Sequence, residues 1–214
     1  MDEDIFRDIL DEERRKILPL LADFKAGFYL AGGTGLALQL GHRDSIDFDF
    51  FRPDSFSTEE LFEKVQATFT GHKIEKIQDE KDTLSVIIDD KIRFSFLTYP
   101  YPLIGQIIND RYLRLASVAD IGCMKFSAMT GRAALKDYID LYFILHKIPL
   151  RELVQLSEKK FPTLNHALIM KSLVYFDDIE FVEINYKHGR QVDFSDIKKY
   201  LEDTVKNHLK AEYK

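Results

Sequence analysis

The chain has 214 residues, of which 45% are hydrophobic and 31% charged, with one cysteine and a formal charge of −6. That length can bury a substantial core, as one generous domain or a core with an appended lobe, and no apolar run approaches the roughly 20 residues that span a bilayer. A lone Cys123 excludes an intramolecular disulfide and no Cys/His spacing resembles a zinc site; the acidic balance argues against bulk capture of nucleic acid but leaves room for a local basic patch. The opening MDEDIFRDILDEERRK is acidic and amphipathic, unlike a secretory or organellar leader, so the expected location is the cytoplasm, without membrane contact.

In chain order, residues 4–24 predict a helix, GFYLA a short strand, TGLALQL a short helix closed by Gly41, and SIDFDFF an alternating strand. Ser57, followed three residues later by Glu60, reads as a capping box that starts another helix. Strand-like stretches follow near 72–78, 83–89 and 91–98, the last two joined as a hairpin through residues 89–91. After YPYPLIG the pattern turns helical. Ser117 and Asp120 cap a helix over 118–130, and further helices are expected near 135–146, 151–158, 164–176 and 195–210. Strands grouped as hairpins before a run of helices predict an α+β fold, divided into a sheet-bearing core over 1–110 and a mostly helical lobe over 111–214.

The chemistry concentrates in Ser45-Ile46-Asp47-Phe48-Asp49-Phe50. A strand there sends Ile46, Phe48 and Phe50 to one face, the core, and Asp47 and Asp49 to the other. Two carboxylates one repeat apart repel, and burying them without a countercharge is costly; a divalent cation removes that cost, and magnesium favours carboxylate oxygens while keeping positions for water and phosphate. Taken alone, the pair fits better an edge strand with a solvated acidic face. The upstream Gly32 and Gly33 shift that weighing, because they lie between a predicted strand and a predicted helix, where backbone amides and the Thr34 hydroxyl can meet an anion. If 118–140 were one helix, Lys125, Arg132 and Lys136 would share a face with Asp140 nearby; if Gly131 breaks it, Asp137 and Asp140 still share a face at spacing three. His42, His72, His146 and His166 lack ligand spacing, Cys123 reads as core, and Tyr99 to Tyr101 as a rigid connection.

AGGTGLALQLGHRDSIDFDFF resembles the signature of the AbiEii/AbiGii-type nucleotidyltransferases, toxins of bacterial toxin-antitoxin and phage-defence systems within the DNA polymerase β-like superfamily. KFSAMTGRAALKDYIDLYFIL is similar to that family's second block and LVYFDDIE, at 173–180, to a later one. The resemblance implies a polymerase β-like core with a helical C-terminal part. It also implies transfer of a nucleoside monophosphate from an NTP to an acceptor hydroxyl, the tRNA 3′ end among the candidates, with magnesium or manganese as cofactor and a cognate antitoxin as partner. Carried over by position, Gly32, Gly33 and Thr34 would seat the triphosphate, with Arg43, Ser45, Arg132 and Lys136 adding phosphate contacts. Asp47 and Asp49 would bind metal, and Lys125, Asp137 and Asp140 would complete the catalytic set.

One position departs from the pattern. Such enzymes commonly carry a third acidic residue on a neighbouring strand, and the expected strand, KIRFSFLTY, offers Ser95 there. A serine cannot act as a base at neutral pH without a partner, so the base would come from Asp137 or Asp140, or the metal would activate the hydroxyl. Three functions stay open: a toxin acting on RNA, a transferase acting on a small molecule or protein, and a nucleotide-binding module without activity.

Overall fold

The computed structural model describes residues 5–212. The predicted N-terminal helix is instead three short pieces: a 3-10 turn at Arg7–Ile9, helix α1 at Glu12–Ile17 and a 3-10 segment at Leu18–Phe24. The Asp11 side chain accepts from the Arg14 amide and so restarts the chain as a helix there, and Pro19 opens the second 3-10 segment. Residue 4, where the predicted helix began, lies outside the described residues.

Strand β1 (Tyr29–Leu30) leads into helix α2 (Gly32–Leu40), which closes at Gly41, and strand β2 (Phe48–Arg52) returns antiparallel beside β1. Helix α3 (Thr58–Thr68) begins as expected with the Ser57 side chain accepting from the Glu60 amide. Strands β3 (Ile74–Glu80), β4 (Thr83–Ile88) and β5 (Ile92–Thr98) form a meander, and Asp89 and Asp90 take left-handed backbone angles to turn the β4–β5 hairpin. Two pairs of residues that no periodicity announced, β6 (Ile108–Asn109) and β7 (Arg114–Leu115), complete a seven-stranded mixed sheet in the order β3-β4-β5-β2-β1-β7-β6. Five helices follow, α4 (Val118–Met129), α5 (Leu135–Leu145), α6 (Leu150–Lys160), α7 (His166–Leu173) and α8 (Phe194–Glu212), with an irregular stretch over 174–193 between the last two. The architecture is α+β, and Gly131 falls in the break between α4 and α5.

The two faces of the sheet have different tasks. Phe48, Phe50, Leu84, Val86, Ile88, Phe94 and Phe96 project to one side and bury against Leu21 and Phe24 of the N-terminal segment and Leu61 and Val65 of α3. Each such ring or branched chain contributes about 1.5–3 kcal/mol by leaving water. On the other side a second cluster joins Tyr29, Ala31, Leu36 and Leu40 to the apolar faces of α4 to α8. Helix α2 supplies residues to both, with Ala37 and Leu38 in the first cluster and Leu36 and Leu40 in the second, so its position is fixed from two sides.

The chain between β5 and α4 is held by one buried carboxylate. Asp120 accepts from the Ile104 and Gly105 amides at 2.8 and 2.9 Å and from the Ser117 hydroxyl at 2.7 Å, and pairs with the fully buried Lys160 at 2.9 Å. The Lys160 ammonium also donates to the Pro102 carbonyl at 2.6 Å. Asp120→Ala strands a buried ammonium and two amides, and should cost about 3–5 kcal/mol in urea denaturation. A loss below about 1 kcal/mol would show that solvent or a neighbour replaces the carboxylate.

Candidate active site

The sheet edge of α2 and the segment after it form one tightly fitted piece. Gly32 has φ +62°, and a Cβ there would lie 2.7 Å from an Asp49 carboxylate oxygen. At Gly33 a Cβ would lie 2.8 Å from the Arg43 guanidinium and 3.3 Å from the Ser45 hydroxyl. Glycine at both positions lets the helix N-terminus, with its unpaired backbone amides, approach the carboxylate and the guanidinium. A larger residue at 33 therefore displaces Arg43 as well as intruding on the cleft.

Residues 45–47, expected as the start of a strand, are irregular, because β1 ends at Leu30 and pairing with β5 begins only at Phe48–Phe94. Ile46, expected on the core face, is 48% exposed. The segment is nevertheless fixed. The buried Arg14 donates to the Ile46 carbonyl at 2.6 Å and to the Lys91 carbonyl at 2.9 Å, and Asp44 exchanges bonds with Asn185. Thr34 donates to the Asp47 carbonyl and lies 2.7 Å from the Ser45 hydroxyl. Thr34 is buried, so its hydroxyl holds the chain behind Asp47, not an anion in front of it.

Asp47 is exposed at the rim and Asp49 half-buried deeper in, within β2. Asp49 stands opposite Ser95 on the parallel strand β5, on the same face, so the alternation that put Ser95 in the expected carboxylate place is met by the register. Burial pushes the Asp49 carboxyl above its ordinary 3.8, the charge of Asp47 pushes it further, and Lys125, Arg93 and the Ser95 hydroxyl offset this only in part.

Asp140 is the opposite case. It is fully buried, with Oδ1 2.8 Å from both His42 Nε2 and Arg43 Nε, and Oδ2 2.9 Å from the second Arg43 nitrogen and 2.6 Å from Lys125 Nζ. Burial works to raise its carboxyl, but Arg43, Lys125 and His42 overcome it and hold the group well below the usual range. Burial likewise works to lower Lys125, and Asp140 and Asp137 outweigh it, keeping the ammonium above its ordinary value. Burial lowers His42 below its ordinary 6.5 despite Asp140, leaving a neutral ring whose Nδ1 has no partner. Asp137 takes Lys125 at 2.5 Å and Arg132 at 3.1 Å. A carboxylate so saturated does not accept a proton at neutral pH, so the expectation of a base at Asp140 gives way to a positioning role for Arg43 and Lys125.

These groups border a cleft with two arms that share Gly33, Asp49, Lys125 and Arg132. The first, about 550 Å³, adds Arg43, Ser45, Asp47, Lys136, Asp137, Asp178 and Glu180. The second, about 460 Å³, runs across β5 and β4 to β3 and is mainly uncharged, lined by Ser95, Ser85, Gln78, Phe51, Tyr99 and Met124 with Arg93. Of the expected site residues, Gly32 lines only the second arm, and Thr34 and Asp140 line neither. Sequence reasoning did not single out Arg14, His42, Gln78, Ser85, Asp178 or Glu180; of these Ser85 could have been found as the polar residue between the apolar Leu84 and Val86.

The donor set suits a hard divalent cation. Burial and the charge of Asp47 disfavour the ionised form of Asp49, which a cation would relieve; Asp47 adds oxygens, and two carboxylates leave positions for phosphate oxygens and water. No group of three or more His, Cys, Asp or Glu able to hold a metal is formed among the described residues, so phosphate oxygens would have to complete the shell. In the first arm four cationic side chains face five carboxylates, a balance that admits a polyphosphate only together with cations.

The two carboxylates make opposite stability predictions. Asp140→Asn leaves Arg43 and Lys125 buried with too little countercharge and should cost about 3–5 kcal/mol. Because the folded Asp140 carboxyl sits well below its ordinary 3.8, its contribution is full above that unfolded value and is lost as pH falls through the lower folded one; thermal melts from about pH 7 down to about pH 2 should show the gap to Asp140→Asn closing only below about pH 4. The folded Asp49 carboxyl is raised, so its ionisation opposes folding as pH rises, and Asp49→Asn should melt higher than the parent by about 0.5–2 kcal/mol equivalent. A destabilised Asp49→Asn would contradict the charge assignment.

Comparison with known proteins bears on the same residues. A protein of Aquifex aeolicus (strain VF5), aq_aa25, which carries no assigned function, is 38% identical over 185 residues, 82% of each chain. In fold the chain resembles MenT4, a nucleotidyltransferase toxin from Mycobacterium tuberculosis H37Rv, with a TM-score of 0.58 at 18% identity over 88% of this chain and 79% of that one. It also resembles JHP933 from Helicobacter pylori, with a TM-score of 0.56 at 17% identity over 98% and 95% of the two chains. The core is thus a nucleotidyltransferase fold. Residues 19–207, which include every member of the cleft named above, match the family described as nucleotidyl transferase AbiEii toxin, type IV TA system, and the chain belongs to that family.

Proposed function

We propose that this protein transfers a nucleoside monophosphate from an NTP to a 3′ hydroxyl of RNA, tRNA included, in a magnesium-dependent reaction, and acts in the cytoplasm as a toxin countered by a cognate antitoxin. The observation that carries this reading is Asp49, an under-neutralised carboxylate placed where the two arms of the cleft meet. No helix among the described residues is long and apolar enough to cross a membrane.

In this reading residues 1–110 bring the metal-binding and phosphate-seating groups, Arg43 among them, and residues 111–214 bring Lys125, Arg132 and Lys136. Asp47 and Asp49 would hold magnesium, which when bound neutralises phosphate charge and acidifies the attacking hydroxyl. The backbone at Gly32 and Gly33 seats phosphate at the α2 N-terminus, and Arg132, bonded to Asp137, and the exposed Lys136 meet the departing pyrophosphate. Lys125, fixed by Asp137 and Asp140, keeps a positive charge beside Asp49. Phosphoryl transfer needs attacking and leaving oxygens roughly in line, so a triphosphate in the first arm directs the acceptor hydroxyl to the second, past Ser95. Ser95 there orients Asp49 by donating its hydroxyl and does not serve as a base.

The test is transfer of α-labelled NTP, each of the four in turn, to total RNA with magnesium. Labelled RNA is expected, with chelation abolishing it and Asp49→Asn or Asp47→Asn lowering it by about 10²–10³-fold or more. Label that survives both substitutions would overturn the metal assignment. Label found only on protein or small molecules would move the acceptor to another class, and no label with any NTP would leave a nucleotide-binding module.

A further inference from the structure

Strand β3 lies at one edge of the sheet, and its pairing with β4 slips by one residue. Lys76 stands opposite Val86, but Gln78, not Ile77, stands opposite Ser85. In unbroken pairing Ile77 would face Ser85. The bulge instead leaves Ile77 40% exposed outside the cleft and brings Gln78 into it. Such bulges re-aim a side chain, and they concentrate at sheet edges and beside active sites.

Ser85 in turn faces Ser95, and Ser95 faces Asp49, so one row of side chains crosses four strands on the cleft face: Asp49, Ser95, Ser85, Gln78. The row passes from carboxylate through two hydroxyls to a primary amide. The Ser85 hydroxyl donates weakly to Gln78 Oε1 at 3.4 Å, which leaves the amide nitrogen and one oxygen lone pair for a ligand. Phe51, Tyr99 and Met124 supply apolar wall in the same arm, Phe51 from β2 at the Asp49 end of the row, and Arg93 a cation from β5. An amide presenting donor and acceptor side by side pairs with the edge of a nucleobase, aromatic rings stack on its face, and an arginine meets its phosphate.

We propose that Gln78 reads the terminal base of the acceptor strand in the second arm. This rests on the RNA reading above and adds a specificity-determining residue to it. The probes are four single-stranded RNA oligomers identical except for the 3′-terminal base, each offered with magnesium and the NTP the parent uses best. For the parent, kcat/KM should span about tenfold or more across the four. Gln78→Leu, of similar size and on a partly exposed edge strand, should melt with the parent and bind NTP with the parent's Kd, yet bring the four acceptors within about threefold of one another. Gln78→Glu, which keeps the acceptor oxygen and loses the donor, should change their rank. Should Gln78→Leu keep the parent's ranking while RNA is still labelled, the proposal fails and RNA transfer stands. Altered choice among the four NTPs with the acceptor ranking intact would assign the amide to the donor base and also overturn the proposal. A parent that labels total RNA but none of the oligomers overturns the proposal and leaves the RNA reading standing, and one that labels no RNA at all removes both.

Discussion

The carboxylate of Asp140 accepts from His42, from both forks of Arg43 and from Lys125 with no access to water, and the geometry of the cleft depends on it. Those partners come from two places, the connection after α2 and helix α4, and Asp140 joins both to helix α5. One side chain therefore fixes the distance between the helix that begins at the glycine pair and the two helices that close the cleft opposite it. A buried ion network is a poor source of net stability, because desolvation consumes much of the Coulomb gain. What it supplies here is position. The Arg43 guanidinium sits where any side chain at residue 33 would collide with it, and the Lys125 ammonium is held beside Asp49 without freedom to swing away.

Asp49 shows what the same residue type becomes when that satisfaction is withheld. Its neighbours are another carboxylate and a hydroxyl, and the nearby cations are either shared with two other aspartates or, as Arg93, exposed on the adjacent strand β5. The contrast separates two kinds of aspartate that a motif treats alike: one whose charge is consumed by the protein, and one whose charge is left for something that enters. Perturbed carboxyls in clefts mark functional sites in just this sense.

Much of this was legible in local chemistry. Helix starts at Ser57 and Ser117 and the close of α2 at Gly41 are written in capping residues, and the alternation in KIRFSFLTY located Ser95 opposite Asp49 because strand faces follow from a period of two. What escaped depends on partners distant in sequence. Residues 45–47 look like strand, but whether they are strand is decided by where β1 stops and β5 starts to pair. His42 has no ligand spacing, and its partner is Asp140, reached only through the fold. Two residues carry no period; β1 was read from the short apolar run GFYLA around it, and β6 and β7 were not read. The N-terminal break was available in principle, since Asp11 is a good capping residue and Pro19 a poor one inside a helix, but the continuous amphipathic pattern outweighed both.

The bulge in β3 belongs to the same class of hidden information, and it explains why the cleft face changes character across the sheet. Strict alternation through residues 74–80 would bring an isoleucine to the end of the row that starts at Asp49, and the second arm would close as an apolar pocket. One extra residue substitutes an amide, at an edge where the lost ladder bond faces solvent and is cheap. The pleat then does the rest. Because neighbouring strands present the same face in register, charge is concentrated at β2 and falls to neutral polarity by β3, so groups suited to polyphosphate and cation are separated from groups suited to a base by the width of two strands. The opposite face, mainly apolar and packed against α3 and the N-terminal segment, supports that row from behind.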